Sequence, residues 1–391
     1  MDPRFKAQRD LCPVFEQYAY LLTGETGPIP RYVYEDVKAY MDGRYYEGGD
    51  ASWRGLSTFR MIPESRQAFA QMLGCDADDV AFGPNTSAML AIFTDGLPLA
   101  PGDNIVTSSG SFSSMIYALD MLRREGIDIR HVAPDHGLLP TERLLAAVDE
   151  NTRAVVLCHV EGNNGFRHDL VAIGAFCAER GIWFAVDAAH SAGVLPIDME
   201  GMHIDFLCGN DYKWMMNFCG TGYACVRPAL REVLRFRKAG WLSVKQLFVS
   251  GLMEAELSDT ASRYELGYPC APGIFGMGDV ARRYLELGAK DIEAYVLGLT
   301  DYLYEQVQGN PHIRYISHYP EPHRSALAFL EVPGDAGVTG ASLKQLGVQT
   351  TVHGASAPGE PTTLRVACHY VNNREDIDRL LAALDQLIGR R

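Results

Sequence analysis

An aspartate and a lysine follow two short apolar runs near the middle of the chain. The runs Ile182–Val186 and Ile204–Cys208 predict buried strands. Asp187 follows the first run directly, and Lys213 follows the second after a few polar residues. Side chains just beyond the ends of parallel strands face the ligand crevice. The pair could hold an aldehyde cofactor, with the lysine forming a Schiff base and the aspartate pairing with a pyridinium nitrogen. An ordinary surface pair would fit these two residues equally well, so the choice depends on the rest of the chain.

Two further stretches upstream could contribute to a site for a flat anionic ligand. Val80–Phe82 predicts a strand and an apolar helix follows it, with Asn85, Thr86 and Ser87 at the capping position. The free N–H groups of a helix start can bind phosphate, although the same residues also suit a plain helix cap. Phe112 lies in the loop before the next helix, where an aromatic ring could stack on a ligand or simply join the core.

Strand and helix patterns alternate from about residue 80 to residue 227, and this order predicts an α/β fold. We expect a mostly parallel sheet with helices on both faces, followed by a smaller α+β domain. The predicted large domain covers residues 20–255, and the small domain combines residues 1–19 with 256–391. Beyond Pro228 we predict a basic helix over 231–241 and a long helix over 279–308.

Composition excludes several classes of protein. The chain has 391 residues, is 47% hydrophobic and carries a net charge of −14, which disfavours nucleic acid and anionic membranes as main partners. No apolar run approaches a membrane span, and the N-terminal residues lack a signal-peptide core, so we expect a cytoplasmic protein. Nine scattered cysteines without a CxxC pair are typical of reduced, mostly buried thiols. We expect no metal site.

Taken in order, the motifs resemble one enzyme family. They are NTS at 85–87, DAAHSAG at 187–193, YKW at 212–214, RYE-G at 263–267 and HYVNNREDID at 369–378. The sequence resembles the class V aminotransferase family of pyridoxal 5′-phosphate enzymes over roughly residues 20–385. That family includes cysteine desulfurases, isopenicillin N epimerase-like proteins, kynureninases and cystine lyases. The resemblance implies the fold type I architecture, with a mostly parallel sheet of about seven strands. It also implies pyridoxal phosphate as cofactor, an amino acid substrate and a homodimer.

The resemblance also assigns roles to the central residues. Lys213 would form the Schiff base, and Asp187 would keep the pyridine nitrogen protonated. His190 would lie against the ring, near its phenolic oxygen or the phosphate. Thr86 and Ser87 would bind the phosphate through their backbone N–H groups and hydroxyls.

The remaining assignments concern the edges of the cofactor and the substrate. Asn210 and Tyr212 would be further phosphate donors, and Phe112 would stack on the ring. Tyr268 replaces a threonine in a motif that commonly reaches the phosphate of the partner subunit, and its hydroxyl could still donate. Arg365 would bind the substrate α-carboxylate, for which a planar bidentate donor is suited.

One segment departs from the family pattern. Members usually carry His-Val-Ser-Asn after the fourth strand, with the asparagine contacting the ring. Here Glu161 and a glycine follow the valine, and two asparagines come next. Either Asn163 or Asn164 could contact the ring, and we assign Asn163 to the cofactor. Alternatively, Glu161 has a new role.

Two observations limit the choice of reaction: the chemistry available to Lys213 and the lack of one thiol. The sequence has no cysteine between Cys270 and Cys368, so the second domain lacks the nucleophile of persulfide-forming desulfurases. A freed lysine amine can act as a general base at Cα. The outcome could be elimination at Cβ, transamination or epimerisation, and we favour a lyase acting on a cysteine-type or other β-substituted amino acid. A non-catalytic paralogue is a weaker alternative, because Asp187 and Lys213 are both present.

Overall fold

The structure is a computed structural model that describes residues 1–48, 57–235, 237–246, 256–268 and 270–389. Its helices are α1 Pro3–Arg9, α2 Arg31–Glu47, α3 Ser57–Leu73, α4 Thr86–Gly96, α5 Ser113–Met121, α6 Thr141–Leu145, α7 Leu170–Arg180, α8 Pro228–Val233, α9 Ala271–Leu287, α10 Ala289–Val307, α11 Gly340–Gln345 and α12 Arg374–Ile388. None of these described helices is long and apolar enough to cross a membrane.

Seven strands form the large sheet, in the order β2-β8-β7-β6-β5-β3-β4. They are β2 Val80–Gly83, β3 Asn104–Ser108, β4 Asp128–Val132, β5 Thr152–Cys158, β6 Trp183–Asp187, β7 Phe206–Asn210 and β8 Gly222–Val226. Only β8 runs antiparallel to its neighbours, β2 and β7. The predicted mostly parallel α/β sheet is therefore confirmed.

The strands of this sheet are apolar on both sides because both of its faces are covered. In β5, Val155 and Leu157 pack into one apolar core, whereas Ala154 and Val156 pack into the core on the opposite face. Side chains of a strand alternate between the faces of a sheet. An uninterrupted apolar run is therefore what a parallel strand between two helical layers requires. These buried strands hold the polar residues at their ends in fixed positions.

A second sheet of five strands has the order β1-β11-β12-β10-β9. Its strands are β1 Ala19–Leu21, β9 Arg314–Tyr315, β10 Leu327–Val332, β11 Val348–His353 and β12 Thr362–Ala367. β1 pairs with β11 in parallel and the other pairs are antiparallel, as expected for an α+β unit. Strand β1 spans the predicted domain boundary at residue 20, and residue 255 lies outside the described residues. The division into 20–255 and 1–19 with 256–391 stays a prediction.

Two helix predictions were wrong. The basic helix predicted over 231–241 ends at Val233, because the backbone adopts an extended conformation at Leu234. Arg231 is buried and donates hydrogen bonds to Asp79 and to the carbonyl of Val226. The long helix predicted over 279–308 is two helices.

The break between these two helices lies at Gly288, where φ is +88°. A right-handed helix requires a negative φ, so the helix cannot continue through this residue. The first of the two helices also begins earlier than predicted, at Ala271.

Candidate active site

A cavity of about 170 Å³ lies at the carboxyl ends of the parallel strands. Eight of the predicted site residues line it: Thr86, Ser87, Phe112, Asp187, His190, Asn210, Tyr212 and Lys213. A larger cleft of about 730 Å³ lies beside the end of α10 and β9, but none of the predicted residues line it. The smaller cavity is therefore the candidate active site.

Lys213 extends into this cavity and is only 8% exposed. Its Nζ lies 3.3 Å from Nε2 of His190. Burial lowers the pKa of Lys213, and the negative charge of Asp187 acts in the opposite direction. The backbone around the lysine is fixed closely, because a Cβ at Gly27 would lie 2.1 Å from the lysine carbonyl oxygen. The backbone of Lys213 is therefore closely packed, and the lowered pKa means that its amine is protonated less readily than that of a surface lysine.

Asp187 is the last residue of β6 and its carboxylate is buried in the cavity wall. One oxygen accepts a hydrogen bond of 2.8 Å from the N–H of Ala189. Burial raises the pKa of Asp187, whereas that hydrogen bond and the charge of Lys213 lower it. A buried carboxylate with so few donors would be stabilised by a ligand that brings a protonated nitrogen.

His190 joins the lysine to the core. Its Nδ1 accepts a hydrogen bond of 3.4 Å from Nε1 of Trp214, while its Nε2 faces Lys213. Burial, together with the charges of Lys213 and Arg365, lowers the pKa of His190 well below its usual value. The imidazole is therefore neutral, and with Nδ1 accepting, Nε2 carries the hydrogen that points to the lysine amine.

The predicted phosphate site lies at the start of α4. Asn85 caps the helix by accepting a hydrogen bond of 2.9 Å from the N–H of Ala88, as expected. Asn210 donates to the hydroxyl of Thr86 at 3.2 Å. The Oδ1 atom of Asn210 is buried and has no hydrogen-bond partner in the described part of the chain. A helix start with a hydroxyl, an amide and free N–H groups in one corner suits an anion.

Phe112 lies on the loop between β3 and α5 and also lines the cavity. Its N–H contacts Sγ of Cys158 at 3.3 Å, which fixes the loop against β5. The ring is 41% exposed and its centre lies 5.5 Å from Nζ of Lys213. A phenyl ring exposed to this extent is not a core residue, so of the two alternatives the structure favours a ring that packs on a ligand.

Arg365 approaches the site from β12 without lining the cavity itself. Its Nη1 donates to the carbonyl of Gly162 at 3.2 Å and its Nη2 donates to the hydroxyl of Thr351 at 3.3 Å. The Nε atom is buried without a hydrogen-bond partner among the described residues. Burial lowers the pKa of Arg365. The guanidinium is thus held near the cavity with donor capacity to spare.

Asn163 and Tyr268 are not brought into the cavity. Asn163 is exposed on the loop after β5, because the next residue, Asn164, turns inward and donates to Glu161 at 2.6 Å. Tyr268 is 45% exposed and lies 3.5 Å from the hydroxyl of Tyr40. The assignment of Asn163 to the cofactor therefore has no support in the geometry, while a contact of Tyr268 with a partner subunit stays a prediction.

Glu161 has the structural role that sequence reasoning left open. The carboxylate is fully buried and accepts hydrogen bonds from Ser108, from Asn164 and, at 3.1 Å, from Nε2 of His168. A Cβ at Gly110 would lie 2.0 Å from Oε2, so the carboxylate fills the space that this glycine leaves. Glu161 therefore joins the loop that carries Phe112 to the loop after β5.

The RYE-G motif supports the sheet beside the site. Glu265 accepts hydrogen bonds of 2.8 Å from the N–H of Phe82 and from Arg66. Arg263 donates to the carbonyl of Ser258 at 2.6 Å. The motif therefore fixes the strand that leads into the predicted phosphate site.

The cavity contains one thiol. Cys158 is buried, its Sγ lies 4.0 Å from the carboxylate of Asp187, and burial raises its pKa. Cys270 and Cys368 belong to the second half of the chain, and neither lines the cavity. A thiolate nucleophile is therefore not available at this position.

Comparison with known proteins identifies the class of protein. The class-V aminotransferase family profile matches residues 19–380. The chain belongs to the class-V aminotransferase family.

Two relatives align with almost the whole chain and have a similar length. A probable cysteine desulfurase from Methanothermobacter thermautotrophicus is 25% identical over 402 residues, covering 98% of this chain and 97% of that protein. The cysteine desulfurase IscS of Shewanella amazonensis is 28% identical and covers 97% and 93%.

Solved structures share the fold. The cystine C–S lyase C-DES, in complex with its product cysteine persulfide, superposes with a TM-score of 0.84 at 21% identity, covering 95% of this chain and 98% of that chain. The cysteine desulfurase CsdA from Escherichia coli superposes with a TM-score of 0.82 at 19% identity, covering 99% and 98%. The fold type I architecture expected from the motifs is confirmed.

Proposed function

We propose that this protein is a pyridoxal 5′-phosphate-dependent lyase that releases a sulfur substituent from Cβ of a cysteine-type amino acid. The observation that carries the proposal is the cavity in which a buried lysine, a neutral histidine and a buried carboxylate meet the start of a helix. The relatives named above, cysteine desulfurases and a cystine C–S lyase, support the same chemistry.

The cavity fits pyridoxal phosphate in three respects. Asp187 is a buried carboxylate that suits a pyridinium N–H. The amide of Asn210 and the hydroxyl of Thr86 lie together at the start of α4, the predicted phosphate corner. Lys213 presents its amine opposite the ring of Phe112. When bound, the cofactor supplies a ring that withdraws electrons and stabilises negative charge at the substrate Cα.

The chain would hold the cofactor from three sides. Lys213 would attach it covalently, and Asp187 would keep its ring nitrogen protonated. Phe112 would pack on the ring. The phosphate would lie among Thr86, Ser87, Asn210 and Tyr212.

Proton transfer belongs to Lys213. Its pKa is lowered by burial, so at neutral pH a larger share of the amine is free to accept a proton than on the surface. From its fixed position the amine can take the proton from Cα and deliver one to the sulfur that leaves Cβ. His190, neutral and hydrogen-bonded to Trp214, orients the amine. Arg365 would bind the α-carboxylate and so align Cα with the amine.

The positions of the thiols bear on the fate of the sulfur. All nine cysteines lie within the described residues, and Cys158 alone among them lines the cavity. Because that thiol is buried and its pKa is raised, it is poorly suited to accept sulfur. We infer that the sulfur product leaves the enzyme directly, as in a C–S lyase, and is not first transferred to a cysteine of the chain.

The deciding experiment follows product release from L-cystine and from S-alkyl-L-cysteines by the holoenzyme. A lyase releases pyruvate and ammonia without an added α-keto acid. Strict dependence on an α-keto acid acceptor would instead identify an aminotransferase, and exchange of the Cα proton with loss of stereochemistry would identify an epimerase. Lys213→Ala should abolish release, and failure of every conjugate to yield pyruvate would refute the lyase.

We also propose a cytoplasmic homodimer in which Tyr268 reaches the site of the partner subunit. Large apolar side chains are exposed on α2, with Tyr34 at 61%, Met41 at 58% and Tyr45 at 79%, and such surfaces are typical of interfaces. Light scattering tests the dimer. Mixing Lys213→Ala with Tyr268→Ala subunits tests the contact, since mixed dimers should regain one complete site; no regain would refute it.

A further inference from the structure

A tight turn of the N-terminal segment lies between the two cationic groups of the candidate site. Residues 22–27 follow β1 and contact residues on either side of the site. The N–H of Gly27 donates to the carbonyl of Tyr212 at 2.7 Å. At the other end of the turn, a Cβ at Gly24 would lie 3.4 Å from Nε of Arg365. The residues between these glycines are therefore held next to both Lys213 and Arg365.

Glu25 is the charged residue of this turn. Its Oε2 accepts a hydrogen bond of 3.1 Å from the hydroxyl of Thr351, and the same hydroxyl accepts from Nη2 of Arg365 at 3.3 Å. The side chain is exposed. Its negative charge raises the pKa of Arg365 and of Lys213, although burial lowers both overall. Glu25 thus lies within electrostatic reach of the places where the α-carboxylate and the α-amino group would bind.

A charge in this place acts on the side chain of a bound amino acid. With the α-carboxylate at Arg365 and the α-amino group at Lys213, the substrate lies within reach of the field of Glu25. Its second oxygen, Oε1, has no hydrogen-bond partner in the part of the chain that the structure describes. A distal ammonium would gain a partner there, while a distal carboxylate would be repelled.

Resting on the amino acid site proposed above, we propose that Glu25 is a specificity determinant. It selects β-substituted amino acids whose side chain ends in an ammonium group over those that end in a carboxylate. Arg365 would still anchor every substrate through its α-carboxylate, and Glu25 would discriminate among their side chains.

The first test measures binding separately from turnover. L-Lysine, L-norleucine and L-2-aminoadipate have side chains of similar length that end in an ammonium, a methyl and a carboxylate, and none carries a leaving group at Cβ. Titration of the wild-type holoenzyme, followed by cofactor absorbance and by thermal shift, should rank them in that order. We expect steps of about threefold, as for a partly exposed charge pair. Glu25→Gln should collapse the order, and Glu25→Lys should invert it.

A second test uses turnover of S-(2-aminoethyl)-, S-ethyl- and S-carboxymethyl-L-cysteine. In Glu25→Gln, KM should rise about threefold for the first and fall for the last, by the same charge-pair argument, with kcat little changed. Glu286→Gln, which removes an exposed carboxylate from α9, is the matched control and should keep the wild-type order.

The outcomes separate this inference from the proposed function. An unchanged order in Glu25→Gln, or no charge preference in the wild type, would overturn the role of Glu25 even if pyruvate is released. Charge-ordered binding without pyruvate release would uphold Glu25 and refute the lyase. No binding by any of the three amino acids would overturn the role of Glu25, and pyruvate release would still decide the lyase separately.

Discussion

Replacing Glu161 should lower both the stability of the fold and the affinity for the substrate. Burial alone would raise the pKa of this carboxyl, but hydrogen bonds from His168, Ser108 and Asn164 bring it below its usual value, so the group is ionised. Glu161→Ala leaves the buried donors Ser108 and His168 without an acceptor, while Asn164 keeps its longer hydrogen bond of 3.4 Å to the carbonyl of Gly137.

The structure sets the size of the expected loss. A buried donor left without an acceptor costs about 1–3 kcal/mol, so the two donors left by Glu161→Ala should cost about 2–6 kcal/mol. Glu161→Gln keeps the shape and one oxygen. If that oxygen faces Ser108 and His168, the new NH₂ group faces the NH₂ group of Asn164. The variant then loses one hydrogen bond to a charged acceptor, which should lower the free energy of unfolding by about 2 kcal/mol.

Substrate binding should also be affected, because Gly162, the residue after Glu161, links this loop to Arg365. The carbonyl of Gly162 accepts a hydrogen bond from Arg365, and a Cβ at Gly162 would lie 3.0 Å from Nε2 of His190. A loosened loop should therefore raise KM for the amino acid more than it lowers kcat. A purely structural role would lower stability without this split.

Urea unfolding gives the free energy of unfolding, and initial rates give KM and kcat. Glu179→Gln, which alters an exposed glutamate on α7, is the matched control and should change stability by less than about 0.5 kcal/mol. A loss below about 1 kcal/mol in Glu161→Ala would contradict the buried network, because an unsatisfied buried donor alone costs about 1–3 kcal/mol.

Three further predictions follow from the site. Arg365→Lys should raise KM for the amino acid about tenfold, because a point charge replaces a planar double donor. Phe112→Ala should weaken cofactor binding up to about tenfold, as expected for one lost ring contact. Burial lowers the pKa of His369 from 6.5 to about 4. The unfolded chain therefore takes up that proton first, and stability should fall as the pH drops from 6.5 to 4, by about 3 kcal/mol. His369→Gln should flatten this fall.

Kinetics, fluorescence titration with pyridoxal phosphate and urea unfolding at several pH values check these three. An unchanged KM in Arg365→Lys would remove the arginine from the substrate site. Unaltered cofactor affinity in Phe112→Ala would exclude the ring contact. A pH profile that is the same in wild type and His369→Gln would contradict a neutral buried imidazole.

Features set by a single strand could be predicted from the sequence. Asp187 and Lys213 follow apolar runs, and such runs form buried parallel strands whose ends meet at one edge of the sheet. The helix start at Thr86 was predictable for the same local reason, since the capping residue precedes it directly. The eight predicted residues that line the cavity lie at or just after strand ends, or at the start of a helix, and these positions follow from the local sequence.

Features set by distant partners could not be predicted. Glu161 finds its partner Ser108 across 53 positions of sequence, and no periodicity encodes such a pair. The ring contact was assigned to Asn163 because the family pattern has an asparagine there, yet the buried carboxylate draws in Asn164. Glu25 was overlooked because its neighbours Thr351 and Arg365 come from the other end of the chain.

The position of the cofactor is tested most directly by borohydride reduction of the holoenzyme, followed by peptide mass analysis. We expect reduction to bleach the absorbance at the border of the visible and ultraviolet and to fix one pyridoxyl phosphate group on the peptide that carries Lys213. Lys213→Ala should yield no fixed group. A fixed group on another lysine, or the same yield from Lys213→Ala, would contradict the central claim.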